Sequence, residues 1–324
     1  MDEDNKIGIV GGSGYLGSHL AMALSTTNRV RIIDIKPPDF LESSPLLSFT
    51  RCDVTNAQDC NGALRGLDIV FHKAGLYGNL PSMRSPHLFY QVNVLGTLNV
   101  LQACADHKVK RFVFDSTEFV YGRAVSSPVS EQAHAQPSSI YGATKLICEA
   151  AVGMYDAVHD LPSIVLRFCR VRDRAKNDVI AVVVDNILKG KTLTLMAGGR
   201  PSMDFVEISD VTSACIAAAD STIRHEIFNI GPGEGISLKQ IAETIGELLA
   251  TPIGAVDYRD VDASPATAEF QFGPDDFHMS VSKAKSVLGW RPAIDIRRSI
   301  VETIEYRSHH GSSDSSFPSE AKPR

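Results

Sequence analysis

The chain has 324 residues, of which 44% are hydrophobic and 22% charged, with a formal net charge of −6. These are ordinary globular values and exclude a mostly disordered chain. An acidic balance without a Lys/Arg cluster excludes nucleic acid as the main partner, and no apolar run approaches the roughly 20 residues that cross a bilayer.

Short runs of Val, Ile, Leu and Phe predict strands at Lys6–Val10, Val30–Asp34, Leu47–Cys52, Asp68–Phe71, Arg111–Asp115 and Ile164–Phe168. Periodic segments between them predict helices, including Leu88–His107 and Ser139–His159. Strand and helix in alternation imply an α/β protein: a Rossmann-like, doubly wound parallel sheet covered on both faces. From about residue 175 the elements become shorter and mixed. Helices are expected at Asp178–Leu188, Ser209–Ala219, Ser237–Leu249 and Ser282–Leu288, and strands at Thr192–Met196, Asp204–Val206 and Glu226–Ile230. The expected organisation is a Rossmann-like domain over 1–174 and a smaller C-terminal α/β substrate lobe over 175–307, with chain free to cross back. A disordered tail is expected over 308–324, rich in Ser, His and Pro with little to bury.

The polar start, Met1–Lys6, does not read as a secretory signal. Cysteines at 52, 60, 104, 148, 169 and 215 form no Cys-x-x-Cys pair. The expectation is reduced thiols in a cytoplasmic protein, with neither a disulfide frame nor a metal site.

Residues 11–17 read Gly-Gly-Ser-Gly-Tyr-Leu-Gly, placing Gly11, Gly14, Tyr15, Leu16 and Gly17 between the first strand and a helix that carries Leu20, Ala23 and Leu24. Glycine here gives a tight turn, close backbone approach to a pyrophosphate, and close helix–strand packing. The helix N-terminus offers free N–H groups and a positive dipole end to phosphate. Asp34 ends the next strand, 20 residues past Gly14. A carboxylate there accepts from the adenosine ribose hydroxyls and repels a 2′-phosphate, which favours NAD over NADP. Arg31 and Lys36 are close enough in sequence to blunt that preference. Asp53 and Val54, after the third strand, are candidate adenine neighbours, with a simple turn as the bland alternative for Asp53.

Tyr141 and Lys145 stand four apart in Tyr-Gly-Ala-Thr-Lys, a spacing that puts both on one helix face. Of the eight tyrosines only Tyr141 has a lysine at that offset. A phenol with a reference pKa near ~10 must be lowered about three units to act as a base at neutral pH, roughly 4 kcal/mol. A nearby ammonium and a positive nicotinamide ring would supply it. Ser116 and Thr117 end the fifth strand; Thr117 is the expected substrate contact and Ser116 a cofactor-side contact.

The loop Gly11–Gly17, Asp34, His72-Lys-Ala-Gly75, Asn93-Val-Leu-Gly-Thr97, Ser116-Thr117, Val120-Tyr-Gly122 and Tyr141-x-x-x-Lys145 together resemble an extended short-chain dehydrogenase/reductase. Within it they resemble the NAD-dependent epimerase/dehydratase branch. The likeness continues through Asp204-Phe-Val, Phe228-Asn-Ile-Gly231 and Leu288-Gly-Trp-Arg-Pro292, covering about residues 6–305. The resemblance implies NAD held by the first domain, lined also by Ala74, Gly75 and Asn93, and a lobe closing over a nucleotide sugar. It implies that Tyr141 takes a proton from a sugar hydroxyl, and that Leu76 and Tyr77 begin the substrate loop. A homodimer is the expected assembly.

Departures from the family pattern narrow the reaction. Phe119 stands where dehydratases and decarboxylases of this kind carry a glutamate base, while Glu118 matches the position of the dehydratases' acidic partner. Met203 stands where an arginine commonly meets the diphosphate. Arg170, Arg172, Arg174 and Arg200 are the candidates to replace it, an exposed solvated loop being the even alternative for the first three. The leading expectation is a nucleotide-sugar epimerase acting by transient oxidation at C4. The alternative is a net dehydrogenase or reductase on a smaller alcohol or unusual sugar; an NAD-binding sensor without turnover is a third reading.

Overall fold

The computed structural model describes residues 5–122, 127–250, 256–259 and 277–310. Six strands of the main sheet come from residues 7–168: β1 (Ile7–Val10), β2 (Val30–Asp34), β3 (Leu47–Arg51), β4 (Ile69–His72), β5 (Arg111–Thr117) and β6 (Ser163–Phe168). With β11 (Glu226–Ile230) they form a seven-stranded sheet in the order β11-β6-β5-β4-β1-β2-β3, every pair parallel. All residues of β1, β4, β5 and β6 are buried. Burial on both faces is why these strands read as continuous apolar runs instead of alternating ones.

Two apolar cores flank the sheet. One packs Ile7, Ile9 and Ile32 against Leu20, Ala21 and Leu24 of α1 (Tyr15–Leu24) and Val211, Ala214 and Ala218 of α8 (Ile208–Asp220). Ala21, not Ala23, completes the buried stripe of α1; Ala23 lies on the exposed side. The other core packs Val10, Val70, Phe112 and Phe114 against α2 (Ala57–Leu64), α5 (Gly96–Asp106) and α6 (Ile140–His159). Local chemistry fixes the helix starts. Asn56 accepts from Gln58 and Asp59 N–H at the head of α2, and Ser139 from Gly142 N–H at the head of α6, satisfying N–H groups that have no partner within the helix. The expected helix Leu88–His107 is helical through Asp106, starting slightly earlier and carrying a π turn: α4 (Pro86–Phe89), the π turn Tyr90–Leu95, then α5; a short α3 (Asn79–Arg84) precedes it.

The second lobe is built on α7 (Val179–Leu188), α9 (Leu238–Leu248) and α10 (Ile296–His310), whose apolar faces share one core with Leu193, Met203 and Phe205. Three small sheets accompany it: β7 (Arg170–Arg172) with β10 (Phe205–Glu207), β8 (Leu193–Met196) with β13 (Val256–Arg259), and β9 (Ser202–Met203) with β12 (Ile236–Ser237). The chain does cross back. After β10 it re-enters the first layer as α8, and β11 closes the main sheet on β6, so residue 174 is no clean boundary. Helix α10 includes Ser308–His310 of the expected tail; the rest of that tail, 311–324, lies outside the described residues.

Candidate active site

Strand order reverses between β1 and β4, whose C-terminal ends lead into Gly11 and into Lys73-Ala74-Gly75. In open α/β sheets ligands bind at such a point. Gly11 occupies it with φ +83°, and a Cβ on it would collide with the backbone of Ala74; a Cβ on Gly17 would collide with Gly11 O. The loop therefore has the bare backbone that close approach to a pyrophosphate needs. Asp34 stands over it: one carboxylate oxygen accepts from Ser13 N–H at 3.0 Å, the other from Ile35 N–H at 2.7 Å. Arg31 does not blunt this carboxylate. Its guanidinium donates to the carbonyls of Ala63 (2.8 Å) and Arg65 (3.1 Å). Asp53 accepts from Thr55 N–H and Oγ1 at 2.9 and 2.7 Å, so its carboxylate ties the turn into α2. It still lines an open cleft of about 650 Å³ with Arg51 and Asn56. Val54 is buried against Gly96.

On the β4 side, Asn93 lies in the π turn, a distortion that re-aims side chains at functional sites. Its amide accepts from Leu76 N–H at 2.7 Å and donates to Leu76 O and Thr144 Oγ1 at 3.1 Å each. That clamp holds Ala74-Gly75 in place. A Cβ on Gly75 would lie 3.2 Å from Asn93 Oδ1 and 3.7 Å from Lys145 Nζ, so Gly75, Asn93 and Lys145 meet at one point.

Tyr141 and Lys145 sit one turn apart on α6, both buried. Lys145 Nζ donates to Asp115 O at 2.9 Å and lies 4.8 Å from the centre of the Phe114 ring; burial pulls its pKa down. The Tyr141 ring is boxed edge-on by Tyr77, Phe89 and Phe119 at 5.6, 6.4 and 5.8 Å between centroids. Burial pushes its phenol well up, and a hydrogen bond with the Thr117 hydroxyl works the other way. Burial thus outweighs the help of Thr117, and the phenol needs a positive charge beside it to serve as a base. Tyr77 is 69% exposed and stands at the mouth.

Ser116 is placed differently from the expectation. Its hydroxyl donates to Glu149, which pairs with Arg167 through two bonds of 2.9 and 2.6 Å. Arg167 also donates to Tyr121 Oη at 2.9 Å, and Tyr121 donates to Asn229 Oδ1 at 2.6 Å. Ser116 therefore belongs to a buried structural network, not to the cofactor side. The arginines also separate. Arg170 Nε lies 3.7 Å from Glu118 Oε1 and its guanidinium 5.9 Å from the Phe119 ring centre. Arg172 is wholly buried, donating to Asp178 at 3.0 Å, Glu207 at 2.6 Å and Thr303 at 2.7 Å; it ties the lobe together and is neither solvated nor phosphate-facing. Arg174 and Arg200 are exposed, Arg200 lying back on Gly198. Met203 is buried in the lobe core.

Glu118 is buried, and burial pushes its carboxyl up to about 7, against the pull of Arg170. Three site contacts were not read from the sequence. Ser82 Oγ accepts from Tyr141 N–H at 3.1 Å, Thr144 Oγ1 donates to Tyr141 O at 2.8 Å, and Phe89 walls the phenol. Thr144, one residue before Lys145, was the legible one; nothing in the sequence marks Ser82.

The profile of the NAD dependent epimerase/dehydratase family matches residues 7–231. A UDP-glucose 4-epimerase from Corynebacterium glutamicum is 31% identical over 320 residues, covering 92% of this chain and 94% of the relative. A crystal structure of the Thermotoga maritima UDP-glucose 4-epimerase with UDP-glucose superposes with TM-score 0.82 at 25% identity, covering 94% of this chain and 99% of that one. The UDP-glucuronic acid 4-epimerase of Bacillus cereus, in complex with UDP-glucuronic acid and NAD, does so with TM-score 0.81 at 25% identity and the same coverage. The chain belongs to the NAD-dependent epimerase/dehydratase family and is an enzyme of that family, with NAD as the family's cofactor. Its bare glycine cradle, the carboxylate of Asp34 and the Gly75–Asn93–Lys145 junction fit that group. Among the described residues no helix is long and apolar enough to cross a membrane.

Proposed function

We propose that this enzyme is a nucleotide-sugar 4-epimerase that oxidises C4 of the sugar transiently and restores it with the opposite configuration. The observation that carries this reading is the buried Tyr141 phenol walled by Tyr77, Phe89 and Phe119, with Lys145 one turn away beside Gly75. Gly11, Gly14, Tyr15, Leu16, Gly17, Asp34 and the Asp53-Val54 cleft, with Ala74, Gly75 and Asn93, would hold NAD, which would supply the hydride acceptor and donor. Tyr141 takes the proton of the C4 hydroxyl as that carbon is oxidised, and returns it when the carbonyl is reduced from its other face. Thr117 donates to the phenolate and shares the reacting oxygen. Lys145 adds the nearby positive charge that a phenolate needs. Phe119 presents an apolar edge where elimination chemistry needs a base, so the reading excludes 4,6-dehydration. Tyr77, Glu118 and Arg170 line the sugar side.

The experiment is incubation with UDP-glucose, UDP-galactose and related nucleotide sugars, followed by chromatography and by absorbance in the reduced-nicotinamide band. Interconversion of C4 epimers without accumulating reduced cofactor supports the reading. Stoichiometric reduced cofactor favours the second reading, a net dehydrogenase on a smaller substrate. Buried Met203 and the internal use of Arg172 speak for that one, since both remove cations from a diphosphate site. The working form is a homodimer in this proposal: Ile147, Met154 and Val158 leave one apolar face of α6 exposed, and sedimentation at twice the 35.1 kDa chain mass is the expected result.

A further inference from the structure

The backbone of Tyr15 belongs to the glycine loop, but its side chain reaches the second lobe. Its Oη donates to Asp173 Oδ2 at 2.8 Å, across 158 residues of chain. Asp173 sits in the turn between β7 and α7. Its Oδ1 accepts from Ala175 and Lys176 N–H, both at 2.7 Å, so the carboxylate is fixed within its own turn. Lys176 Nζ lies 4.8 Å from the centre of the Tyr15 ring. His19 Nε2, one turn along α1, faces Asp173 Oδ2 at 3.7 Å. Arg172, the residue before Asp173, donates to Thr303 of α10, which roots this turn in the lobe. Partial burial and the Asp173 carboxylate push the Tyr15 pKa up, so the phenol keeps its proton and stays a donor.

We propose that the Tyr15–Asp173 bond is a latch: through it the second lobe holds the glycine loop in the shape that receives NAD, so that the bound cofactor leaves slowly. Helix α1 begins at Tyr15 behind Gly14, which supplies no side-chain cap, and glycine has more backbone freedom to lose than any other residue. A contact that keeps the loop ready lowers the ordering cost of binding, and the head of α1 cannot move away from the lobe without breaking it. The coupling is reciprocal, since a cofactor that steadies the loop also steadies the lobe. One consequence rests on the nucleotide-sugar reading above. Epimerisation returns the hydride to the carbon that gave it. A cofactor lost in mid-cycle carries that hydride away, the proton passes to solvent, and a keto sugar is left behind.

The test loads the full chain with radiolabelled NAD, chases with unlabelled NAD, and follows the label retained on a filter over time. Tyr15→Phe removes only the donor. Asp173→Ser keeps an acceptor for the turn N–H groups but is too short to reach Tyr15. Hydrogen bonds to a carboxylate are the strong kind, so each variant should release NAD about tenfold faster than the native chain. The double variant should be no faster than either single one, because both remove the same bond. Thermal unfolding serves as the control for folding. Unchanged release from folded Tyr15→Phe overturns the proposal, as does a double variant whose effect is the product of the two single ones. With a nucleotide sugar present, the variants should also build up reduced-nicotinamide absorbance that the native chain does not. Faster release from the variants without any sugar turnover by the native chain keeps the latch and sinks the nucleotide-sugar reading; native epimerisation with unchanged release in the variants sinks the latch alone.

Discussion

Thr117→Val tests the proton-handling pair most directly. The Thr117 oxygen accepts from Phe119 N–H at 3.3 Å, which leaves its own proton to donate to a Tyr141 phenolate, and Thr117 opposes the upward push of burial on the phenol. A hydrogen bond to a charged group contributes about 1.5–3 kcal/mol. Removing it should lower kcat by roughly 10- to 150-fold, since each 1.36 kcal/mol in the barrier is about tenfold. The sign of the pH effect follows. The base is the deprotonated phenol, so a higher pKa moves the acid limb of the activity profile upward, by about one to two pH units at 1.36 kcal/mol per unit. Valine also removes the cap at Phe119 N–H, which costs about 1 kcal/mol of stability and is read separately by denaturant unfolding. Thr117→Ser, keeping the hydroxyl, should restore the profile. The assay is C4 interconversion as a function of pH, with stopped aliquots resolved by chromatography. A valine variant with unchanged kcat and an unshifted acid limb would show that Thr117 does not serve the phenol.

Four further outcomes are expected. Tyr141→Phe keeps the ring that packs against Phe89 and Phe119 and loses the proton acceptor, so turnover should fall at least ~100-fold while NAD stays bound in a titration; a variant with a tenth of native activity refutes the role. NAD should bind in preference to NADP, because Asp34 would face the 2′-phosphate, and like charges ~4 Å apart at an effective dielectric of ~20 cost about 4 kcal/mol before screening; equal affinities by titration count against it. Arg167→Met strands the buried Glu149 carboxylate and should cost about 3–5 kcal/mol in unfolding free energy, much of which a second Glu149→Leu change recovers; an additive double variant contradicts the pairing. Arg170→Ala should raise KM for a nucleotide sugar severalfold with NAD affinity unchanged, whereas exposed Arg200→Ala should have a smaller effect; the reverse order in steady-state kinetics would move the phosphate contact to Arg200.

The sequence by itself determined the parallel sheet, the glycine loop, Asp34 and the Tyr141–Lys145 pair. Each depends on near neighbours in the chain: apolar runs of strand length, glycine where backbone must stay bare, a four-residue helical offset. Even Phe119 could be read as an incapable base from its identity alone. What only the tertiary structure decided is how chemically similar side chains are spent. Ser116 and Thr117 are adjacent hydroxyls, yet alternation along the strand sends one to Glu149 and the other to the phenol. Arg170 and Arg172 differ by two residues, yet one faces Glu118 and the other is drawn into the lobe by Glu207, Asp178 and Thr303, the last from α10, 131 residues away. The return of Glu226–Ile230 to the edge of the first sheet has the same origin. A residue's partners are fixed by which elements pack together, and those long-range pairings leave no local period in the chain for a reader to detect.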